Sequence, residues 1–298
     1  MRVVGIAASI FGLKCLEALR QLDGCELVGV VTAPKKFPIS YRPEGVNNVL
    51  FADVAEFCAV QTIPCETISS GMNDPSLLSK VASWNPDIFV VAGWYHLLPL
   101  SWRNVAPAYG LHASLLPKYS GGAPLVWAMI NGELETGISF FQFDAGVDSG
   151  PLVGQKTVSI ESADTIATLY AKIETLGLEL ISDVLPKLAN RTAEHLVQDE
   201  SQRTLFPQRS PEDGIIDFCQ PVSALYNFIR AQTKPYPGAF FHRGSDVVKV
   251  WAVEACPHLM DNTSPGPLWD DEGNLFIVGL DHEVLKVTSM TVEGAANQ

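Results

Sequence analysis

Basic residues are scarce in this chain. Twenty lysines and arginines stand against 33 aspartates and glutamates, a formal charge of −13 over 298 residues. The deficit is spread along the sequence, −6 for residues 1–190 (12 basic, 18 acidic) and −7 for the remainder (8 basic, 15 acidic). Nucleic acid is a polyanion whose binders carry a basic face. Neither half offers one, so a nucleic-acid partner is disfavoured. Long apolar runs are missing too: no stretch nears the roughly 20 residues that a membrane-spanning helix needs. The opening MRVVGIAASIFG has no basic start, long apolar core or cleavage site of a secretory leader. It reads as a first strand, and the expectation is a cytoplasmic protein with no membrane attachment. Cysteines 15, 25, 58, 65, 219 and 256 form no C-x-x-C pair and no zinc spacing. They read as reduced core thiols, and no metal is expected, since His96 and His112 have no accompanying thiolates or carboxylate cluster.

Two further absences concern cofactors. The first strand-to-helix turn, Gly5 through Gly12, does not match G-x-G-x-x-G, and no acidic residue closes the second strand where a ribose would be held. A nicotinamide dinucleotide is therefore disfavoured. The largest basic cluster is Lys35, Lys36 and Arg42 around Phe37 and Tyr41. It reads either as a solvated loop or as a rim for a phosphorylated small molecule.

What is present is an alternation. An apolar, β-branched run at 2–8 is followed by helical spacing at 11–22 and a second apolar run at 26–32. A helix near 51–60, a strand near 64–68, a helix near 75–83 and an apolar strand at 87–92 continue it. Near-continuous apolar strands separated by helices predict a doubly wound α/β sheet, mostly parallel and covered on both faces. Ligands in such sheets lie beyond the carboxyl ends of the strands, so the Gly93–Pro99 loop, GWYHLLP, should border a site. Residues 164–189 predict a long helix with Asp164 as N-cap. Residues 190–214 read as a polar linker. Beyond it, a helix at 220–230 and strand-like pieces at 238–243, 246–254, 274–279 and 283–292 mark a smaller β-rich domain. The expected division is 1–190 for a Rossmann-like catalytic domain, 191–204 for a linker and 205–298 for the second domain.

Residues 109–157 carry most of the functional information. His112 closes a short apolar segment and precedes Ser114-Leu115-Leu116-Pro117. A glycine-rich loop, a helical stretch and a strand follow, and a turn then carries Asp144 and Asp148. Taken singly, His112 reads as a structural histidine, Asp148 as a turn residue, Ser114 as a turn cap and Gly122 as a bend. Taken together, an imidazole and a carboxylate delivered on separate turns form the parts of a general acid/base pair.

The pattern HxSLLPxxxGxxPxxWAxxxGxxxTGxSxxxxDxGxDxG, from His112 to Gly150, resembles the signature of the folate-dependent formyltransferases. Members of that family act on initiator tRNA, on amino sugars or on water. The likeness extends to the opening strand–helix–strand, to the GWYHLLP loop, to Phe206–Gly214 with Ile216-Asp217, and to RAQTKPYPG at 230–238. The resemblance implies a Rossmann-like domain binding N10-formyltetrahydrofolate and a small barrel-like C-terminal domain. It implies that His112 is the catalytic base and Asp148 its partner. His96, Leu97, Leu98, Gly122 and the turn Asp144, Ala145, Gly146, Val147 and Asp148 would then contact the folate. A homodimer is also implied by the sugar-modifying relatives.

Two positions depart from the pattern. The asparagine expected two residues before the histidine, an oxyanion donor, is Gly110. Losing such a donor typically costs about 3–4 kcal/mol of transition-state stabilisation. The candidates to replace it are protonated His112, a backbone amide near Gly110, the Ser114 hydroxyl or a water. The arginine expected after SLLP is Ser120. With the acidic balance, the reading favours formyl transfer to the primary amine of a small substrate, a nucleotide-linked amino sugar. The alternatives are formylation of methionyl-tRNA, formyltetrahydrofolate hydrolysis and non-catalytic binding of a folate or nucleotide sugar.

Overall fold

The computed structural model describes residues 1–39, 42–69, 71–256 and 263–294. They fall into two compact units. The first comprises residues 1–120, 137–158 and 172–205, and the second comprises 121–136, 159–171 and the chain from 206.

The first unit is built on a seven-stranded sheet. Its order runs Leu152–Ser159, Glu135–Gln142, Ala108–His112, Ile88–Ala92, Arg2–Ala7, Glu26–Thr32, Cys65–Thr67. The strand pairs from Ala108–His112 through Ile88–Ala92, Arg2–Ala7 and Glu26–Thr32 to Cys65–Thr67 are parallel. Glu135–Gln142 runs antiparallel to Ala108–His112. The doubly wound expectation therefore holds, with an antiparallel margin. Ile88–Ala92 is buried at every residue and Arg2–Ala7 at all but its first, as a sheet covered on both faces requires. Val4, Ile6, Val31, Phe89, Val91 and Trp102 are core members, and full burial of one such side chain stabilises by about 1.5–3 kcal/mol.

The strand order reverses between Arg2–Ala7 and Ile88–Ala92, the place where open α/β sheets hold ligands. Helix Ile10–Gln21 begins there, capped by the Ser9 hydroxyl, which accepts from the Gly12 amide at 3.1 Å. A Cβ at Gly12 would lie 2.6 Å from the Ala92 carbonyl. Only glycine lets the helix start this close to the end of the neighbouring strand.

Several sequence expectations need amendment. The Lys35–Arg42 region contains a two-stranded antiparallel hairpin, Lys36–Ile39 with Arg42–Asn47, and Phe37 within it is buried. Tyr41 lies outside the described residues. Cys15 and Cys58 are buried, but Cys219 is exposed and Cys25, Cys65 and Cys256 are half-buried, so the core-thiol reading fits only two. Asp164 accepts from the Glu161 amide and the Thr168 hydroxyl at 2.8 Å each, ahead of helix Ile166–Ala189.

The second unit has a five-stranded antiparallel sheet in the order Ala239–Arg243, Asp246–Cys256, Val284–Glu293, Leu275–Val278, Gly266–Trp269. Register shifts between Val250 and Val253 mark bulges, which bend a strand and raise its twist. Helix Val222–Gln232 covers one face through Leu225 and Ile229, which share a core with Phe241, Val248 and Val250. The Gly266–Trp269 strand was not foreseen from the sequence. Among the described residues, no helix is long and apolar enough to cross a membrane.

Candidate functional site

His112 ends the Ala108–His112 strand, and Asp148 lies in the turn after Glu135–Gln142. The antiparallel pairing of those two strands brings the strand end and the turn together. His112 Nδ1 stands 3.6 Å from Asp148 Oδ2, with the side chains 11% and 21% exposed. On the other side of the ring, Nε2 is 2.7 Å from the Tyr119 carbonyl oxygen. A carbonyl only accepts, so Nε2 carries the hydrogen. In the neutral ring Nδ1 is then the basic nitrogen, and it faces a carboxylate just beyond hydrogen-bond length. The protonated ring donates toward oxygen on both sides. The ring is thus oriented by a carbonyl at one nitrogen and faces a carboxylate at the other, the geometry of an acid/base pair.

The turn between the two histidine-proximal segments is tightly wired. Ser114 is 1% exposed. Its hydroxyl donates to the Lys118 carbonyl at 2.7 Å, and its carbonyl accepts from Ser139 at 2.6 Å. Ser139 also accepts from the Leu116 amide and from Gln155 Nε2. The Ser114 hydrogen is thus spent inside the turn, which removes it from the donors available to an oxyanion in this arrangement. Asp144 is likewise occupied: its Oδ1 accepts from the Gly146 amide at 2.9 Å and the Ser149 hydroxyl at 2.7 Å. Ala145, Gly146 and Val147 lie exposed along the turn.

Gly110 has a steric explanation. It pairs with Phe141 across the sheet, and a Cβ built on it would lie 2.6 Å from Phe143 Cζ and nearer still to Cε1. The Phe143 ring, packed at 5.0 Å from that of Phe141, fills the space a side chain at 110 would need. An asparagine there is excluded by packing unless Phe143 changes.

The 94–98 loop continues from Ile88–Ala92. His96 packs between the rings of Phe37 and Trp94, at 5.0 and 5.5 Å. Burial depresses its basicity below the ordinary histidine value, which keeps it neutral near pH 7. Its Nε2 and the Trp94 indole nitrogen are buried without a hydrogen-bond partner among the described residues. Buried polar atoms are normally paired, so two such atoms in one loop are an exception within this fold. Leu97 is 80% exposed, whereas Leu98 is buried. Gly122 belongs to the second unit, where a Cβ would meet the Gln208 backbone.

Comparison with known proteins decides the family. A model described as "Formyl transferase" matches residues 2–185, and one described as "Formyl transferase, C-terminal domain" matches 209–297. The chain belongs to the formyl transferase family. It is an enzyme of formyl-group transfer. This formyl transferase is 33% identical over 298 residues to a methionyl-tRNA formyltransferase of Caldanaerobacter subterraneus subsp. tengcongensis, covering 99% of this chain and 93% of that protein. Among solved structures it shares its fold with the N-formyltransferase of Helicobacter canadensis in complex with folinic acid and dTDP-3-aminofucose. The TM-score is 0.69 at 16% identity, with 96% and 98% of the two chains covered. It also matches the methionyl-tRNA formyltransferase of Clostridium thermocellum, with a TM-score of 0.58 at 16% identity and 99% of each chain covered.

Sequence reading did not anticipate the residues that support this enzyme's histidine. Tyr119 acts through its carbonyl, which no side-chain motif signals. Ser139 and Gln155 are strand residues, and Gln198, Arg203 and Thr204 fall in the stretch read as a linker. The burial of Gln198, 6% exposed within a polar segment, is visible only once the chain is folded.

Proposed function

We propose that this formyl transferase moves the formyl group of N10-formyltetrahydrofolate to the primary amine of a small, nucleotide-linked amino sugar. The observation that carries the chemistry is the His112–Asp148 pair, 3.6 Å apart with the Nε2 hydrogen fixed on Tyr119. His112 Nδ1 takes the proton that the amine loses as its nitrogen bonds to the formyl carbon. Asp148 stabilises the imidazolium so formed. His112 returns the proton to the folate nitrogen as the bond from that nitrogen to the formyl carbon breaks. With no side chain at Gly110, the Ser114 hydroxyl committed and both ring hydrogens of protonated His112 directed at Asp148 and the Tyr119 carbonyl, the donors left for the tetrahedral oxyanion are a backbone amide near Gly110 or a water. His96 Nε2 and Trp94 Nε1 suit the polar edge of a pterin, and Leu97, Leu98 and the Asp144–Asp148 turn would line its path.

For the acceptor, the argument is electrostatic. A tRNA substrate needs several phosphates neutralised, whereas this chain is acidic in both halves. A small amine needs only a pocket with nearby carboxylates. Incubation with formyltetrahydrofolate and a panel of nucleotide-linked amino sugars tests this, and no folate-dependent product across the panel would discard it. The 33% identity to a methionyl-tRNA formyltransferase favours a second reading, formylation of methionyl-tRNA. An electrophoretic shift of initiator tRNA at moderate salt, with formylation of its methionine, would establish that reading instead.

A further inference from the structure

Segment 196–204 reads as linker in the sequence, yet it touches both turns that hold the acid/base pair. Gln198 Nε2 donates to the Asp148 carbonyl at 2.8 Å and to the Gly150 carbonyl at 2.6 Å. Its Oε1 is buried with no partner among the described residues. A leucine of similar size would avoid that cost, so the amide is retained for what it donates. Asp148 needs such a hold, since it sits at φ 53° in the left-handed region.

Arg203 completes the clasp. Its Nη1 donates to the Ser120 hydroxyl at 2.6 Å and to the Val147 carbonyl at 3.1 Å. Glu200 anchors the opposite edge of the guanidinium through Nε at 2.6 Å and Nη2 at 2.7 Å. The Thr204 hydroxyl accepts from the Tyr119 amide at 2.8 Å, and its carbonyl accepts from the Ser120 amide at 2.9 Å. Tyr119 is the residue whose carbonyl receives His112 Nε2. One planar guanidinium therefore bridges the histidine's acceptor turn to the aspartate's turn. Ser120, where the sequence pattern leads one to expect an arginine, is the residue whose hydroxyl receives it.

We infer that Gln198 and Arg203 are positioning residues that set the distance and orientation of Asp148 relative to His112. This rests on the formyl-transfer reading of that pair. Neither residue is required to touch substrate. Both act by fixing backbone at the two turns, and a displacement of about 1 Å in such a pair is enough to cost about 10²-fold in rate.

The test is made on the full chain labelled with 15N-histidine, with His112 assigned by H112Q and D148N as the reference for a broken pair. At fixed pH, R203A and Q198L are expected to move the His112 ring nitrogen shifts toward those of D148N, and R203K to move them less. Turnover of 10-formyltetrahydrofolate should fall about 10²-fold in R203A, while affinity for 5-formyltetrahydrofolate changes by less than about threefold. Far-UV circular dichroism identifies any variant that has lost its fold, and if Q198L has, R203A and R203K carry the test. His112 shifts that stay at their wild-type values in folded R203A, while D148N moves them, would overturn the inference. Shifts that move in a protein with no formyl-transfer activity of any kind would support the clasp and discard the catalytic reading instead.

Discussion

The His112 turn and the 94–98 loop border the same sheet but treat polar atoms in opposite ways. Around His112, Ser114, Ser139, Gln155 and Asp144 each have named partners within the protein. In the loop, Trp94 Nε1 and His96 Nε2 are buried and have no partner among the described residues. The first pattern is rigid machinery, with its geometry set before any ligand arrives. The second, on the function proposed above, leaves hydrogen-bonding capacity for a ligand to complete. The proposed site would thus divide orientation and reception between two segments of the chain.

The largest effect that would test this division is at His112. H112Q should reduce turnover by about 10²–10⁴-fold, the usual worth of a general base, while 5-formyltetrahydrofolate still binds by calorimetry. A matching loss of binding would mean that the two regions are not separable. Next comes position 110. G110N should destabilise the fold by about 1–3 kcal/mol, the cost of overpacking, in urea melts. The pair G110N/F143A should recover much of that stability. If G110N alone is stable and more active, the packing explanation of the glycine fails.

The reception side is probed by H96Q, expected to weaken 5-formyltetrahydrofolate binding by about 0.5–1.5 kcal/mol for one lost hydrogen bond. The pH dependence follows from its direction of shift. Burial lowers the proton affinity of His96 in the folded protein, so the ring stays neutral as pH falls through the ordinary histidine value. Ligand affinity attributable to this ring should hold from pH 8 through 6.5 and decline only in more acidic buffer, where the buried ring gains charge. That decline should be missing in H96Q. The smallest effect is expected at Ser114: S114A should lower stability by about 1 kcal/mol and leave turnover within a few-fold of wild type. A 10²-fold loss would instead restore Ser114 as an oxyanion donor.

Much of this was legible in the sequence. The apolar runs at 2–8, 26–32 and 87–92 became strands because residues buried on both faces have little freedom to be anything else. The His112–Asp148 pairing was implied by the resemblance of residues 112–150 to the formyltransferase signature, and the two side chains lie 3.6 Å apart. Interactions across large sequence separations were not legible. Phe143 excludes a side chain at Gly110 only through the sheet register, and a register cannot be read from either strand alone. Gln198 and Arg203 lie in a stretch whose polarity matches that of a solvated connector, and burial is what distinguishes them. The Gly266–Trp269 strand contains a proline and only four residues, too few for an alternation to register.

The left-handed backbone at Asp148, φ 53°, narrows the substitutions this enzyme tolerates there. Asparagine and glycine enter that conformation readily, whereas alanine or glutamate carries a backbone penalty of about 1 kcal/mol or more in addition to any chemical loss. Just beyond, a Cβ at Gly150 would overlap the Gln142 carbonyl oxygen, so the chain's exit from the turn is closed to other residues. D148N is therefore the substitution that tests the proposed role of this carboxylate without adding a backbone penalty. Any drift of the acidic position during evolution would be channelled through the same narrow set of residues.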